Sequence, residues 1–269
     1  MGAAVTARRR VRRLGQFLGE LSWPRDAWPL LRLAWSRAFG GSGEVRLHPR
    51  SIGGRGVAVR LGTTDLVTFY ECFVRRYHRP SRVIPGVALV ADMGANVGYT
   101  MIDLLGVYPS ARGVAIEMDG ANFDVLARNL EALGGRAEAV HAAVWTDCGG
   151  VEYDAGSAEN AYAAGTATGS QRAVRVASIT PGDALRAAHG APRCLVKMDI
   201  EGAEAAVFAC QDLGWLDSVA AIMLEIHEDD DVAPITAVLE RAGFTVAAVE
   251  GSPYGYECVR TAPDGGGRP

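Results

Sequence analysis

Two stretches of this 269-residue chain carry residues whose types and spacing could do chemistry. The first is Asp92-Met93-Gly94-Ala95-Asn96-Val97-Gly98, which reads D-x-G-x-N-x-G. It follows the apolar run Val87–Ala91 and leads into apolar residues at helical spacing that reach Tyr108. A continuous apolar run of this kind predicts a strand buried on both faces of a parallel sheet. Asp92 then falls at the carboxyl end of that strand, where open α/β sheets bind their ligands. Gly94 and Gly98 lack a Cβ, so the backbone can turn tightly and a ligand can approach closely. The spacing differs from the G-x-G-x-x-G of a dinucleotide site, and a strand-end carboxylate would repel a pyrophosphate. An acid in this place suits a cationic or hydroxyl-rich ligand.

The second stretch is Lys197-Met198-Asp199-Ile200-Glu201-Gly202-Ala203-Glu204, where one lysine and three acids crowd the end of another apolar run. Glu204 could simply favour a helix dipole and Gly202 a tight turn, and a buried lysine among acids needs only to be paired. The following run ends in Glu225-Ile226-His227-Glu228. Strand alternation turns Glu225 and His227 to one side. An ordinary histidine titrates near neutrality, so His227 could take a proton from a substrate hydroxyl, with Glu225 and Asp199 beside it. Asp199, Glu225 and His227 could instead hold a divalent cation, but no metal is assigned. Glu117 closes a strand predicted over 113–116, where an acid can accept hydrogen bonds from both hydroxyls of a ribose.

The elements that must position these groups alternate between strand and helix. Helices are predicted over 122–133, 203–211 and 231–243, and strands over 137–143, 194–199 and 219–226. Such alternation gives a parallel sheet joined by right-handed crossovers, with 245–249 and 256–259 as a closing antiparallel pair. Residues 149–153 and 173–176 read as paired short strands around a Gly/Ala/Ser/Thr-rich loop at 156–170, suited to a lid. Thr180 and Pro181 start a short helix. Upstream, short strands are expected at 45–48 and 57–61, then a helix over 66–77 capped by Thr64 or Asp65.

The D-x-G-x-N-x-G loop, Glu117, the complete K-x-D-x-E-G-x-E run at 197–204 and the segment 225–228 together resemble the FkbM family of S-adenosylmethionine-dependent methyltransferases, over residues 60–250. Arg60-Leu61-Gly62-Thr63-Thr64-Asp65 is similar to an R-x-G-T-x-D segment that the family carries before this helix, lying over the cofactor loop. The resemblance implies a class I methyltransferase-like (Rossmann-like) fold: a mostly parallel seven-stranded sheet with helices on both faces, here with an N-terminal helical extension. It implies S-adenosylmethionine held by Asp92, Gly94, Ala95, Asn96, Gly98 and Glu117. Met118 would pack on the adenine, and Ala142 and Ala143 would leave room for the base. His227 would be the catalytic base, helped by Glu225 or Asp199, with Lys197 organising the acids. The implied activity is methylation of a hydroxyl on a small molecule, such as a natural-product or sugar intermediate. An N-methyltransferase and a non-catalytic cofactor-binding scaffold are the alternatives. A nucleotide-linked oxidoreductase is disfavoured by the glycine spacing.

Composition adds exclusions. Hydrophobic content of 49% and charged content of 22% suit a globular domain, and a net charge of −4 gives no general affinity for nucleic acid. The five cysteines are scattered without C-x-x-C, which argues against a disulfide framework or zinc site and for a cytoplasmic setting. No apolar stretch reaches the length of a membrane span, and no signal peptide is recognised. A homo-oligomer is compatible with this composition. Residues 1–42 read as a basic, aromatic-rich helical extension containing Arg8-Arg9-Arg10-Val11-Arg12-Arg13, 43–262 as the methyltransferase domain, and 263–269 as a disordered tail. The extension serves either as cover for the domain or as a surface for a partner, an acidic carrier or a membrane.

Overall fold

The computed structural model describes residues 12–154, 173–187 and 193–261. The predicted lid at 156–170 and tail at 263–269 lie outside the described residues. The chain forms two compact units, one ending at Arg76 and the other beginning at Tyr77.

The first unit contains helix α1 (residues 12–20) and α2 (Ala27–Phe39), the antiparallel pair β1 (Glu44–Leu47) and β2 (Val57–Arg60), and α3 (Asp65–Tyr70). Leu21, Leu33, Leu47, Val57, Phe69 and Phe73 fill its core. Asp26 is fully buried yet satisfied: it accepts from the Ser22 and His48 amides and lies 2.6 Å from His48 Nδ1. The expected cap of α3 takes another form. Neither the Thr64 side chain nor that of Asp65 caps the helix; the Asp65 carboxylate turns back to Arg60, accepting from its amide at 2.8 Å and from Nη2 at 2.7 Å. Asp65 is 1% exposed, so a charge-assisted fork outcompetes the exposed helix amides. The two ends of the R-x-G-T-x-D segment thus hold each other.

In the second unit the strands and helices run β3 (Leu89–Met93), α4 (Tyr99–Val107), β4 (Arg112–Glu117), α5 (Gly120–Leu130), β5 (Ala137–His141), β6 (Ala143–Val144), β7 (Val151–Asp154), β8 (Ala173–Val176), β9 (Ser178–Ile179), α6 (Pro181–Ala187), β10 (Cys194–Met198), α7 (Glu204–Phe208), β11 (Val219–Glu225), α8 (Asp229–Arg241), β12 (Phe244–Ala248) and β13 (Gly255–Arg260). Seven of these strands make one sheet in the order β12-β13-β11-β10-β3-β4-β5. The five from β11 to β5 are parallel, and only β13 runs antiparallel to its neighbours. Every residue of β3 and β10 is buried, as sequences apolar at all but Asp92 and Lys197 require of central parallel strands. β7 pairs with β8 as expected.

Several boundaries differ from the sequence reading; the helix expected over 66–77 is α3 to Tyr70, followed by a π-helical turn over Glu71–Arg75. The strand expected to reach Ala143 stops at His141: the Ala142 amide leaves for the Glu117 carbonyl at 3.1 Å, and Ala143 starts β6 against β9. The helix expected over 203–211 is the short α7: a turn tied to Glu204 occupies its approach, and the helix ends three residues early, at Phe208. α8 starts two residues early, at Asp229, where three consecutive aspartates favour the positive end of the helix dipole. Buried Asp103 of α4 binds Arg79 at 2.5 Å and His78 at 2.7 Å, tying the start of this unit to the sheet's first helix.

Parallel topology brings the carboxyl ends of β3, β4, β10 and β11 to one edge of the sheet. That edge is where the chemistry predicted from sequence must lie.

Candidate active site

The loop leaving β3 is shaped by its glycines. Gly94 has φ +79°, and a Cβ there would stand 1.8 Å from the Asp199 carbonyl oxygen. The backbones after β3 and β10 therefore touch where only glycine fits. Gly98 has φ +84°, with Leu126 of α5 packed where its Cβ would be. The Gly94 and Ala95 amides both donate to the Ile116 carbonyl, at 3.0 and 2.8 Å. Asn96, also in the left-handed region, donates its amide to Glu117 Oε2 at 2.8 Å, while the Asp119 amide donates to Oε1 at 2.9 Å. Glu117 is thereby fixed beside the loop. Burial pushes its carboxyl up to about 7 against the opposing pull of the Asp119 and Asn96 amides.

Asp92 stands across from Lys197 in the β3–β10 register and is wholly buried. Its Oδ1 lies 3.6 Å from Lys197 Nζ, and neither oxygen accepts a hydrogen bond among the described residues. Burial raises its pKa, with Lys197 acting in the other direction. Lys197 donates to the Gly94 carbonyl at 2.6 Å and lies 3.4 Å from Asp199 Oδ2. Burial opposes its charge, but Asp199, Asp92 and Glu225 outweigh it and hold the pKa above the usual lysine value.

The K-x-D-x-E-G-x-E run folds back on itself. Glu204, at the start of α7, accepts from the Ile200 amide and from the Gly202 amide, each at 2.9 Å. Hydrogen bonds to a charged acceptor contribute about 1.5–3 kcal/mol each, enough to fix a turn in which Glu201 takes φ +55°. This turn wraps His227. Nε2 lies 3.5 Å from Asp199 Oδ1 and 3.4 Å from Glu201 Oε2; Nδ1 lies 3.4 Å from Glu204 Oε1. Glu204, then Asp199 and Glu201, raise the imidazole to about 9 despite its partial burial. Burial and Asp199 lift Glu201 to about 7. Tyr254 stacks on His227 with centroids 5.9 Å apart.

The predicted residues thus form a connected chain, from Glu117 through the Asn96 loop and Lys197 to Asp199 and His227. Glu225 ends β11, and its charge acts on Lys197; His227 lies beyond the strand, so alternation does not govern it. Ala142 packs in the main core, while Ala143 joins a small cluster with Val151, Tyr153 and Val176, against which Met118 rests. Glu201, Glu204, Asp119 and Tyr254 are additional to the sequence-based assignment. The first two were present in the same motif, whose spacing places both on the turn facing His227. Asp119 caps α5 through the Asn122 amide. Asp199, Glu201 and His227 offer ligand atoms within 4.8 Å of one another, so this trio, with Glu201 in place of Glu225, could hold a divalent cation. A groove of about 610 Å³ between Trp145, Asp183, Arg186 and Trp215 lies apart; none of these site residues lines it.

A parallel sheet of this order, with its acid-ended glycine loop on the central strand, defines a class I methyltransferase-like protein. The methyltransferase FkbM domain matches residues 92–246, and the chain belongs to that family. No curated protein sequence matches it. Among solved structures, it is similar to precorrin-6y C5,15-methyltransferase from Geobacter metallireducens GS-15, at 13% identity over 65% of this chain and 81% of that one, with a TM-score of 0.39. It is likewise similar to the N-terminal domain of human METTL16 in complex with SAH, at 11% identity over 73% of this chain and 68% of that one, with a TM-score of 0.37. Likeness at this level leaves substrate and mechanism to the site itself.

S-adenosylmethionine is the cofactor, and the residues present fit it. Asp92 keeps acceptor capacity suited to an ammonium. Glu117 has a further lone pair on each oxygen for ribose hydroxyls. Gly94 and Gly98 keep side chains off the loop backbone.

Proposed function

We propose that this protein is an O-methyltransferase acting on a hydroxyl of a small molecule, with a natural-product or sugar intermediate as the substrate class. The observation that carries the reading is the cluster of Asp199, Glu201, Glu204 and His227, joined through Lys197 to the cofactor loop. Asp92, Gly94, Ala95, Asn96, Gly98 and Glu117 would hold the cofactor, which supplies an activated methyl group. The protein's own part is to place an acceptor oxygen and take up its proton.

His227 at about 9 is a cation at neutral pH, so the lone imidazole does not start as the base. Asp199 and Glu201 face its Nε2 and are the groups able to accept the hydroxyl proton, with His227 balancing their charge and passing protons on. Lys197 fixes Asp199 relative to the Gly94 carbonyl. The five free cysteines favour a reducing compartment such as the cytoplasm.

The test is incubation with S-adenosylmethionine and matched panels of hydroxylated and amine acceptors, followed by mass analysis of product. O-methylated product that disappears in Asp199→Asn supports the reading. Methylation confined to amines refutes it, and tight cofactor binding without turnover on any acceptor favours the scaffold.

A further inference from the structure

We propose that the outer face of α2 is a docking surface for an anionic lipid bilayer. The helix turns Leu33 and Ser36 into the core of the first unit. Trp28, Leu31, Trp35 and Phe39 recur at i, i+3, i+7 and i+11, which at 3.6 residues per turn confines them to an arc of about 80°. They are 69%, 62%, 66% and 71% exposed, and the Trp35 and Phe39 rings meet at 4.4 Å. A contiguous aromatic patch of this kind marks an interaction site.

Charge identifies the partner. α2 contains no acid; exposed Arg32 lies at one edge of the apolar arc, beside Phe39, while exposed Arg37 stands on the opposite face of the helix. Through residue 40 the sequence holds eight arginines against Glu20 and Asp26, a formal +6 in a chain whose total is −4. Asp26 is withdrawn into the interior against His48. An aromatic stripe bordered by arginine on an otherwise acidic protein matches the interface of an anionic membrane, with rings at the acyl boundary and guanidinium groups among phosphates. No described helix is long and apolar enough to cross a membrane, so α2 would lie in its plane. A second copy would set arginines against arginines across an isologous contact. A nucleic acid would leave the apolar centre of the face unmatched.

The experiment is flotation of the full chain with phosphatidylglycerol or phosphatidylcholine vesicles. It is run with wild type and Trp28→Ser/Trp35→Ser, alongside sedimentation velocity and thermal unfolding. The expected result is salt-sensitive binding to phosphatidylglycerol only. The double variant should unfold at the wild-type temperature and bind roughly 100-fold more weakly, at about tenfold per buried indole. Absence of vesicle binding, or equal binding by the variant, overturns the proposal. A wild-type dimer that the double variant dissociates, without vesicle binding, would assign the face to a second copy instead. Neither outcome bears on methyl transfer.

Discussion

Lys197→Met removes the one cation between two carboxylates while keeping the volume of the side chain. Its Nζ lies 3.6 Å from Asp92 and 3.4 Å from Asp199. At an effective dielectric of about 20, each attraction is about 5 kcal/mol before desolvation. Loss of one partner from a buried pair leaves a net cost of about 3–5 kcal/mol, because the orphaned charge stays buried. For a domain of this size that corresponds to a fall in Tm of about 6–20 °C. Asp92, 0% exposed, is the orphan that matters. Its folded-state pKa already lies above the ordinary value, and losing Lys197 raises it further. Proton binding then favours the folded state, so the variant's deficit should shrink as pH falls toward that pKa and be fullest at pH 8. Urea and thermal unfolding at pH 8 and pH 5 measure this directly. Adding Asp92→Asn to Lys197→Met should recover about half of the loss, since the buried charge is gone. A deficit below about 1 kcal/mol, or one equal at both pH values and untouched by Asp92→Asn, would refute the ion-pair account.

Three further outcomes are expected. Gly94→Ala must move the Asp199 carbonyl and hold alanine at φ +79°, so calorimetric affinity for S-adenosylmethionine should fall at least about fivefold, at 1–3 kcal/mol of strain. Cofactor affinity of the wild type should weaken as pH falls through about 7, where Glu117 takes a proton and loses acceptor capacity; Glu117→Gln should bind more weakly at pH 8 and show no such step. His227 has a folded pKa near 9 against an ordinary 6.5, so its ion pairs contribute fully below pH 6.5 and fade as pH rises through 9. The Tm difference between wild type and His227→Ala should therefore be largest at pH 6 and close by pH 10.

The central sheet was legible because β3 and β10 are apolar at every position except Asp92 and Lys197, and those two exceptions mark the site. The closing antiparallel pair was readable as two short strands following the last helix. The end of β5 was not, because Ala142 and Ala143 suit either strand, and what divides them is a long-range hydrogen bond to Glu117. Glu201 and Glu204 lay in a motif read mainly as a strand end and helix start. Their convergence on His227 depends on a left-handed residue that local propensity does not announce. Asp65 looked like a helix cap because its competitor, Arg60, acts through a fork that spacing alone does not reveal.

The contact between the Gly94 backbone and the Asp199 carbonyl has a mechanical consequence. Three attachments join the two loops: that contact, the Asp199 amide on the Met93 carbonyl at 3.0 Å, and Lys197 on the Gly94 carbonyl at 2.6 Å. Cofactor loop and acid cluster therefore behave as one stiff bracket rather than two jaws. A ligand on one side finds the other already in place, so little ordering has to accompany its arrival. The same stiffness means that neither half can drift to suit a new acceptor without dragging the other. Changes of substrate in such a frame must come from what is mounted around the bracket, not from the bracket itself.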